Sequence, residues 1–260
     1  MSTAGSIEHI SGCATRVMRK GSGAPLLFLH GAGGAPVWLP FMETLSERFD
    51  VIAPEHPGFG GSETPDWLDN VGDLAYFYLD LIDHFGLEGV NLVGQSLGGW
   101  IAAELAARND TKLNTLTLAA AAGIYVKGVP RTDTFMLSPE DSVRVLVKDQ
   151  AIADRMLDVP ESDERTMTML KNRLTTAQLA WQPRFYNPDL AKWLHRISVP
   201  TLIIWGADDK VVSQAYGPAY QALIPGARLE IFPDCGHLPH VEKHDAFVET
   251  VTAFIGEASR

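Results

Sequence analysis

Ser96 stands in Gly94-Gln95-Ser96-Leu97-Gly98, directly behind the apolar run Val90-Asn91-Leu92-Val93 and at the head of a helical pattern. A serine hydroxyl is a weak nucleophile at neutral pH unless a base takes its proton. A G-x-S-x-G turn between strand and helix is the setting that exposes such a hydroxyl. The two glycines remove side chains from a turn where a Cβ would clash. The helix N-terminus beneath the serine offers partial positive charge where an oxyanion would form. His237, in Pro233-Asp234-Cys235-Gly236-His237-Leu238-Pro239, follows the last apolar run and is the candidate base. A base of this kind needs a carboxylate to hold its tautomer. Ile204-Trp205-Gly206-Ala207-Asp208-Asp209 supplies two, and position alone does not separate Asp208 from Asp209. Leu29-His30-Gly31-Ala32-Gly33-Gly34 follows the first buried run, with backbone N–H groups free of bulky side chains. Such groups, joined by the N–H of Leu97, suit an oxyanion.

Competing chemistries fit less well. His237, His240 and His244 would share the face of a continuous helix and could bind a metal. Pro239 interrupts that run, and no cysteine or carboxylate pattern completes it, so no metal is expected. The glycines after His30 fall short of G-x-G-x-x-G, and no G-K-[ST] follows, which disfavours a nucleotide cofactor. Gly58-Phe59-Gly60-Gly61-Ser62 reads purely as a loop.

The elements that must position these residues are short apolar runs alternating with helical patterns. The runs include residues 26–29, 51–53, 90–93, 116–119, 201–205 and 228–232, each ending near Gly, Pro or a small residue. They read as strands buried on both faces, the mark of a parallel sheet. Residues 71–85 carry one apolar stripe, 97–107 are small and apolar almost all round, and 247–255 close the chain as a helix. Strand–helix alternation implies right-handed crossovers and a covered sheet. Ser96, the Asp208/Asp209 pair and His237 each lie just past such a run, so a doubly wound sheet gathers them at one edge. Residues 124–195 break the rhythm, with helical patterns holding Met136, Met156, Met167, Met169, Trp181 and Trp193.

Composition narrows the partners. A hydrophobic share of 46% with 20% charged residues is globular rather than disordered. A net charge of −11 repels phosphate backbones, so nucleic acid is not an expected partner. No apolar run reaches the roughly 18 residues of a membrane span. Two cysteines, Cys13 and Cys235, make no disulfide framework or CxxC site. The first residues lack the basic start and apolar stretch of a secretory leader, so a cytoplasmic location is expected. Oligomeric state is not legible.

On these residues the chain resembles the α/β-hydrolase superfamily, in its small capped serine esterase and C–C hydrolase branch. The landmarks, spread over nearly the whole chain, are His30-Gly31, Pro57-Gly58-Phe59-Gly60-Gly61-Ser62, Gly94-Gln95-Ser96-Leu97-Gly98, Gly206-Ala207-Asp208-Asp209 and Gly236-His237. The resemblance implies an α/β fold with a mostly parallel sheet, helices on both faces and two early antiparallel strands near residues 7–19. It implies a core of residues 1–123 and 196–260, with a helical cap over 124–195. It makes Ser96 the nucleophile, His237 the base and Asp209 the acid, at the fourth position of G-x-x-D. The oxyanion donors would be Ala32, Gly33 and Leu97. Dehalogenases and epoxide hydrolases of this family carry Asp where Ser96 stands. Ring-cleavage C–C hydrolases commonly carry Trp where Leu238 stands. The expected activity is cleavage of small to medium carboxylic esters without cofactor, with C–C hydrolysis of diketone products as the alternative. Met and Trp side chains of the cap are candidates to line an apolar acyl pocket, or simply to pack the cap onto the core.

Overall fold

The structure is a computed structural model that describes residues 5–160 and 162–258. Eight strands form one sheet: β1 (Ser6–Ile10), β2 (Cys13–Lys20), β3 (Ala24–Leu29), β4 (Phe49–Pro54), β5 (Val90–Gln95), β6 (Leu113–Ala119), β7 (Thr201–Gly206) and β8 (Arg228–Phe232). Their order is β1-β2-β4-β3-β5-β6-β7-β8. The β1/β2 and β2/β4 pairs are antiparallel, and every later pairing is parallel. The parallel part of the sheet is the one expected from the apolar runs, and the two antiparallel strands at its start are those the family resemblance implies.

The helices are α1 (Pro40–Leu45), α2 (Val71–His84), α3 (Leu97–Arg108), α4 (Pro139–Arg144), α5 (Gln150–Leu157), α6 (Asp163–Ala180), α7 (Tyr216–Leu223), α8 (Pro239–Glu242) and α9 (His244–Ala258). Side chains along β3 alternate between two apolar clusters, as a period of two requires. Leu27 and Leu29 join a cluster with α2, α3 and α7, whereas Leu26 and Phe28 join one with α1 and α9. The sheet is therefore covered on both faces, and its interior strands β5 and β7 are buried throughout.

Two differences from the sequence reading have simple causes. β8 is mostly exposed rather than buried on both faces, because it lies at the sheet edge. The short helices α1 and α8 have too few turns to show an apolar period, although Pro40 and Pro239 sit in their first turns, where a missing N–H goes unnoticed.

Residues 124–195 hold α4, α5, α6 and short 3-10 turns at Thr134–Met136, Leu190–Lys192 and Leu194–Arg196. Among the described residues this stretch adds no strand to the sheet. Helix α6 buries Asn172, Thr175 and Thr176 ahead of Leu179 and Ala180. Asn172 and Thr175 reach the loops after β3 and β4, and the Thr176 hydroxyl donates to the Asn172 carbonyl of its own helix.

Candidate active site

Ser96 sits between β5 and α3 at φ 54° and ψ −112°, a left-handed conformation that costs a side-chain-bearing residue about 1–3 kcal/mol. The surroundings enforce it. A Cβ on Gly94 would lie 2.3 Å from the Gly98 carbonyl oxygen, and one on Gly98 would lie 2.0 Å from that of Leu29. Only glycines let α3 approach β3 and β5 this closely. The Ser96 N–H donates to the Ala119 carbonyl at 2.9 Å, and its own carbonyl accepts from Trp100 and Ala122. The serine is thus tied to β6 as well as to its helix.

The loops after β7 and β8 bring the other two residues to it. His237 Nδ1 lies 2.8 Å from Asp209 Oδ2, and His237 Nε2 lies 2.8 Å from Ser96 Oγ. A carboxylate only accepts, so the imidazole N–H is at Nδ1 and the serine O–H donates to the free Nε2. Asp209 Oδ1 accepts from the backbone N–H groups of Val211 and Val212 at 2.8 and 2.9 Å. The side chains of His237 and Asp209 are 2% and 0% exposed, so the ion-dipole contact is shielded from water. The structure separates the two aspartates: Asp208 points outward and its Oδ1 accepts from Lys148 Nζ at 2.7 Å.

The His237 loop is fastened from several sides. Its N–H donates to the Leu146 carbonyl at 2.7 Å, and its carbonyl accepts from buried Gln95 Nε2 at 3.1 Å. Glu242 accepts from the N–H groups of Gly236 and, across the site, of Lys148 and Asp149. Cys235 next door is a buried free thiol, and burial pushes its pKa up to about 12.

Ala32 and Gly33 are the central residues of a turn closed by Gly34 N–H to Gly31 C=O at 3.0 Å. That turn borders the nucleophile, since a Cβ on Gly31 would lie 3.3 Å from Ser96 Cβ. Leu97 is the first residue of α3, and its N–H belongs to the first-turn donors that a helix leaves unpaired. The expected oxyanion donors are therefore next to the serine.

The three histidines near the C-terminus part company. His240 is enclosed by Phe28, Phe41 and Phe247, with burial and the neighbouring His237 lowering its pKa to about 3. His244 bonds Asp245 and Thr44. Among the described residues no group of three or more His, Cys, Asp or Glu is placed to hold a metal ion.

A family model for the alpha/beta hydrolase fold matches residues 24–244. The chain belongs to that family. It is 27% identical over 267 residues to a 2-hydroxy-6-oxo-6-(2'-aminophenyl)hexa-2,4-dienoic acid hydrolase of Metapseudomonas resinovorans, covering 95% of this chain and 89% of the relative. It is 28% identical over 257 residues to Lipase 1 of Psychrobacter immobilis, covering 92% and 80%. The solved structure of a membrane phospholipase A superposes with a TM-score of 0.83 at 24% identity, covering 98% of this chain and 86% of that one. The chain is thus a hydrolase of the α/β-hydrolase type.

Within this family member, several supporting residues have no sequence motif of their own. His30 and His56 stack with ring centroids 3.6 Å apart behind the Gly31 turn. Glu55 is buried beside Arg16 and accepts from the Gly61 N–H, so the Gly58–Ser62 loop is built around a carboxylate. Asn172 of α6 accepts from the Gly60 N–H at 2.9 Å and donates to the Gly33 carbonyl at 3.0 Å. The methionines and tryptophans of 124–195 mostly face outward: Met136, Met167, Met169, Trp181 and Trp193 are exposed. Among the described residues no helix is long and apolar enough to cross a membrane.

Proposed function

We propose that this chain is a serine hydrolase that cleaves carboxylic esters of small to medium size. The observation that carries the reading is the unbroken relay from Asp209 through His237 to Ser96, with both contacts at 2.8 Å. His237 takes the hydroxyl proton as Ser96 Oγ attacks the ester carbonyl. The oxyanion of the tetrahedral intermediate rests on the N–H groups of Leu97 and Ala32, with Gly33 beside them. Each such donor is worth about 10²–10³ in rate. His237 then protonates the leaving alcohol, and an acyl-enzyme remains on Ser96. Water then attacks the acyl carbon as it gives a proton to His237, and His237 passes that proton to Ser96 Oγ as the acyl–oxygen bond breaks and the acid leaves. Asp209 keeps the imidazole in the tautomer that both steps need and stabilises the imidazolium. These steps require no metal or organic cofactor.

Residues 124–195 act as a cap in this reading. Their supports are Asn172 and Thr175 on the loops after β3 and β4 and the Leu146 carbonyl on His237. The Lipase 1 relative supports ester cleavage. The ring-cleavage relative makes C–C hydrolysis the competitor.

A graded series of p-nitrophenyl esters, assayed beside a vinylogous diketone, tests the proposal. We expect ester turnover, a covalent phosphonate adduct on Ser96, and loss of about 10⁴-fold or more of kcat in Ser96→Ala. A kcat/KM on the diketone orders of magnitude above every ester would replace the ester reading by the C–C one. Folded protein that neither turns over nor forms the adduct would overturn both.

A further inference from the structure

The two peptides ahead of Ala32 are gripped by side chains that play no part in the relay. His30 Nδ1 lies 2.7 Å from the Gly31 carbonyl oxygen, which also accepts from Gly34 N–H at 3.0 Å. A carbonyl only accepts, so His30 carries its proton on Nδ1 and its Nε2 is free to accept. It does so from the backbone N–H of His56, at 3.0 Å. The His56 ring returns the contact: its Nε2 lies 2.8 Å from the His30 carbonyl oxygen, and its Nδ1 meets the Tyr78 hydroxyl. By the same logic His56 carries its proton on Nε2, and Tyr78 donates to Nδ1. His30, His56 and Tyr78 are 2%, 0% and 0% exposed. Burial pulls the pKa of His30 down to about 4 and that of His56 well below the usual range, so both rings are neutral and their tautomers fixed.

A trans peptide points its C=O and the following N–H in opposite directions. Holding the Gly31 carbonyl against the His30 ring therefore turns the Ala32 N–H away from that ring. Holding the His30 carbonyl against His56 fixes the plane before it. From this geometry we infer that His56 is a positioning residue for the oxyanion-binding turn, acting through His30 and itself oriented by Tyr78. This rests on the serine-hydrolase reading above and adds to it the group that aims the donor. The residue is not part of the Gly58–Ser62 glycine run beside it, and neither its type nor its spacing announces the role.

The test compares His56→Leu, which removes the donor, with His56→Gln, whose amide N–H can reach the Nε2 position. Both are measured for ester kcat and KM, for thermal stability, and for inhibition by an alkyl trifluoromethyl ketone, whose serine adduct carries an oxyanion. We expect His56→Leu to lose about 10- to 100-fold in kcat, a fraction of what losing a whole donor costs. KM should stay within about threefold, and the ketone Ki should rise by the same factor as kcat/KM falls. His56→Gln should recover most of that loss at a similar melting temperature, which a merely structural role would not produce. Folded His56→Leu with kcat and Ki within twofold of wild type would overturn the inference. So would a loss in His56→Leu that His56→Gln leaves unrepaired. Should His56→Leu fail to fold, Tyr78→Phe reads the same link: a several-fold kcat loss supports it, and wild-type kcat overturns it. A wild-type protein with neither ester turnover nor a phosphonate adduct would instead remove the hydrolase reading itself.

Discussion

Helix α3 starts directly after Ser96, and α6 reaches the Gly31–Gly34 turn beside it, yet the two helices are seated by opposite chemistry. Every residue of α3 from Leu97 to Ala107 is buried, and its glycines and alanines permit backbone contact with β3 and β5. The α6 helix buries Asn172, Thr175 and Thr176, with Leu179 and Ala180 only in its last turn, and leaves Met167, Leu170 and Leu174 exposed. Its polar side chains face inward because the loops it covers present unpaired backbone groups. Asn172 serves Gly60 N–H and Gly33 C=O, Thr175 donates to Gly58 C=O, and Lys171 reaches the carbonyls of Gly60 and Ser62. Steric exclusion shapes the serine side of the site. Hydrogen bonding to main chain shapes the other side.

That contrast can be broken experimentally, and the largest effect is expected at α3. Gly98→Ala puts a methyl 2.0 Å from the Leu29 carbonyl oxygen, with main chain on both sides and nothing flexible to yield. We expect little or no folded protein, read by circular dichroism and expression in the soluble fraction; a stable Gly98→Ala variant would show that the close approach is not steric in origin.

The aspartates give the next effect. Asp209 is held by core backbone and touches His237, whereas Asp208 is tied to Lys148 in the overlying segment. Asp209→Asn should lower kcat by about 10³–10⁴, since the amide favours the wrong imidazole tautomer. Asp208→Asn should change it by no more than about threefold, because the pair it breaks is part-exposed. Reversal of that order in steady-state kinetics would move the acid to the other residue.

The smallest effects distinguish the two faces of α6. Asn172→Ala should destabilise by about 1–3 kcal/mol in urea unfolding, since it orphans groups in the Gly60 and Gly33 loops. Leu174→Ser, on the exposed face, should stay within about 0.5 kcal/mol. Equal effects at the two positions would mean that the polar face of α6 is not what seats it.

The same contrast explains what the sequence reveals. Parallel strands buried on both faces are continuous apolar runs, so the strands from β3 to β7 are visible as such. The positions of Ser96, His237 and the Asp208/Asp209 pair follow from three strand ends that a doubly wound sheet must bring to one edge. Asp209 itself is not separable from Asp208 by spacing; the structure does that with two backbone N–H groups and an imidazole. The seating of α6 is illegible because hydropathy assigns its threonines and asparagine to solvent. His56 and Tyr78 are illegible for a related reason. A histidine beside a glycine-rich turn carries no sign that its partner is the carbonyl of His30, a neighbour only in space.

Ser96 is held at a backbone angle that an unconstrained residue avoids. The expense of about 1–3 kcal/mol is settled once, when the chain folds, from the stability of the whole domain. No part of it recurs with each substrate molecule. In the proposed chemistry, the hydroxyl is already aimed when an ester arrives, and the reaction barrier includes no term for turning it.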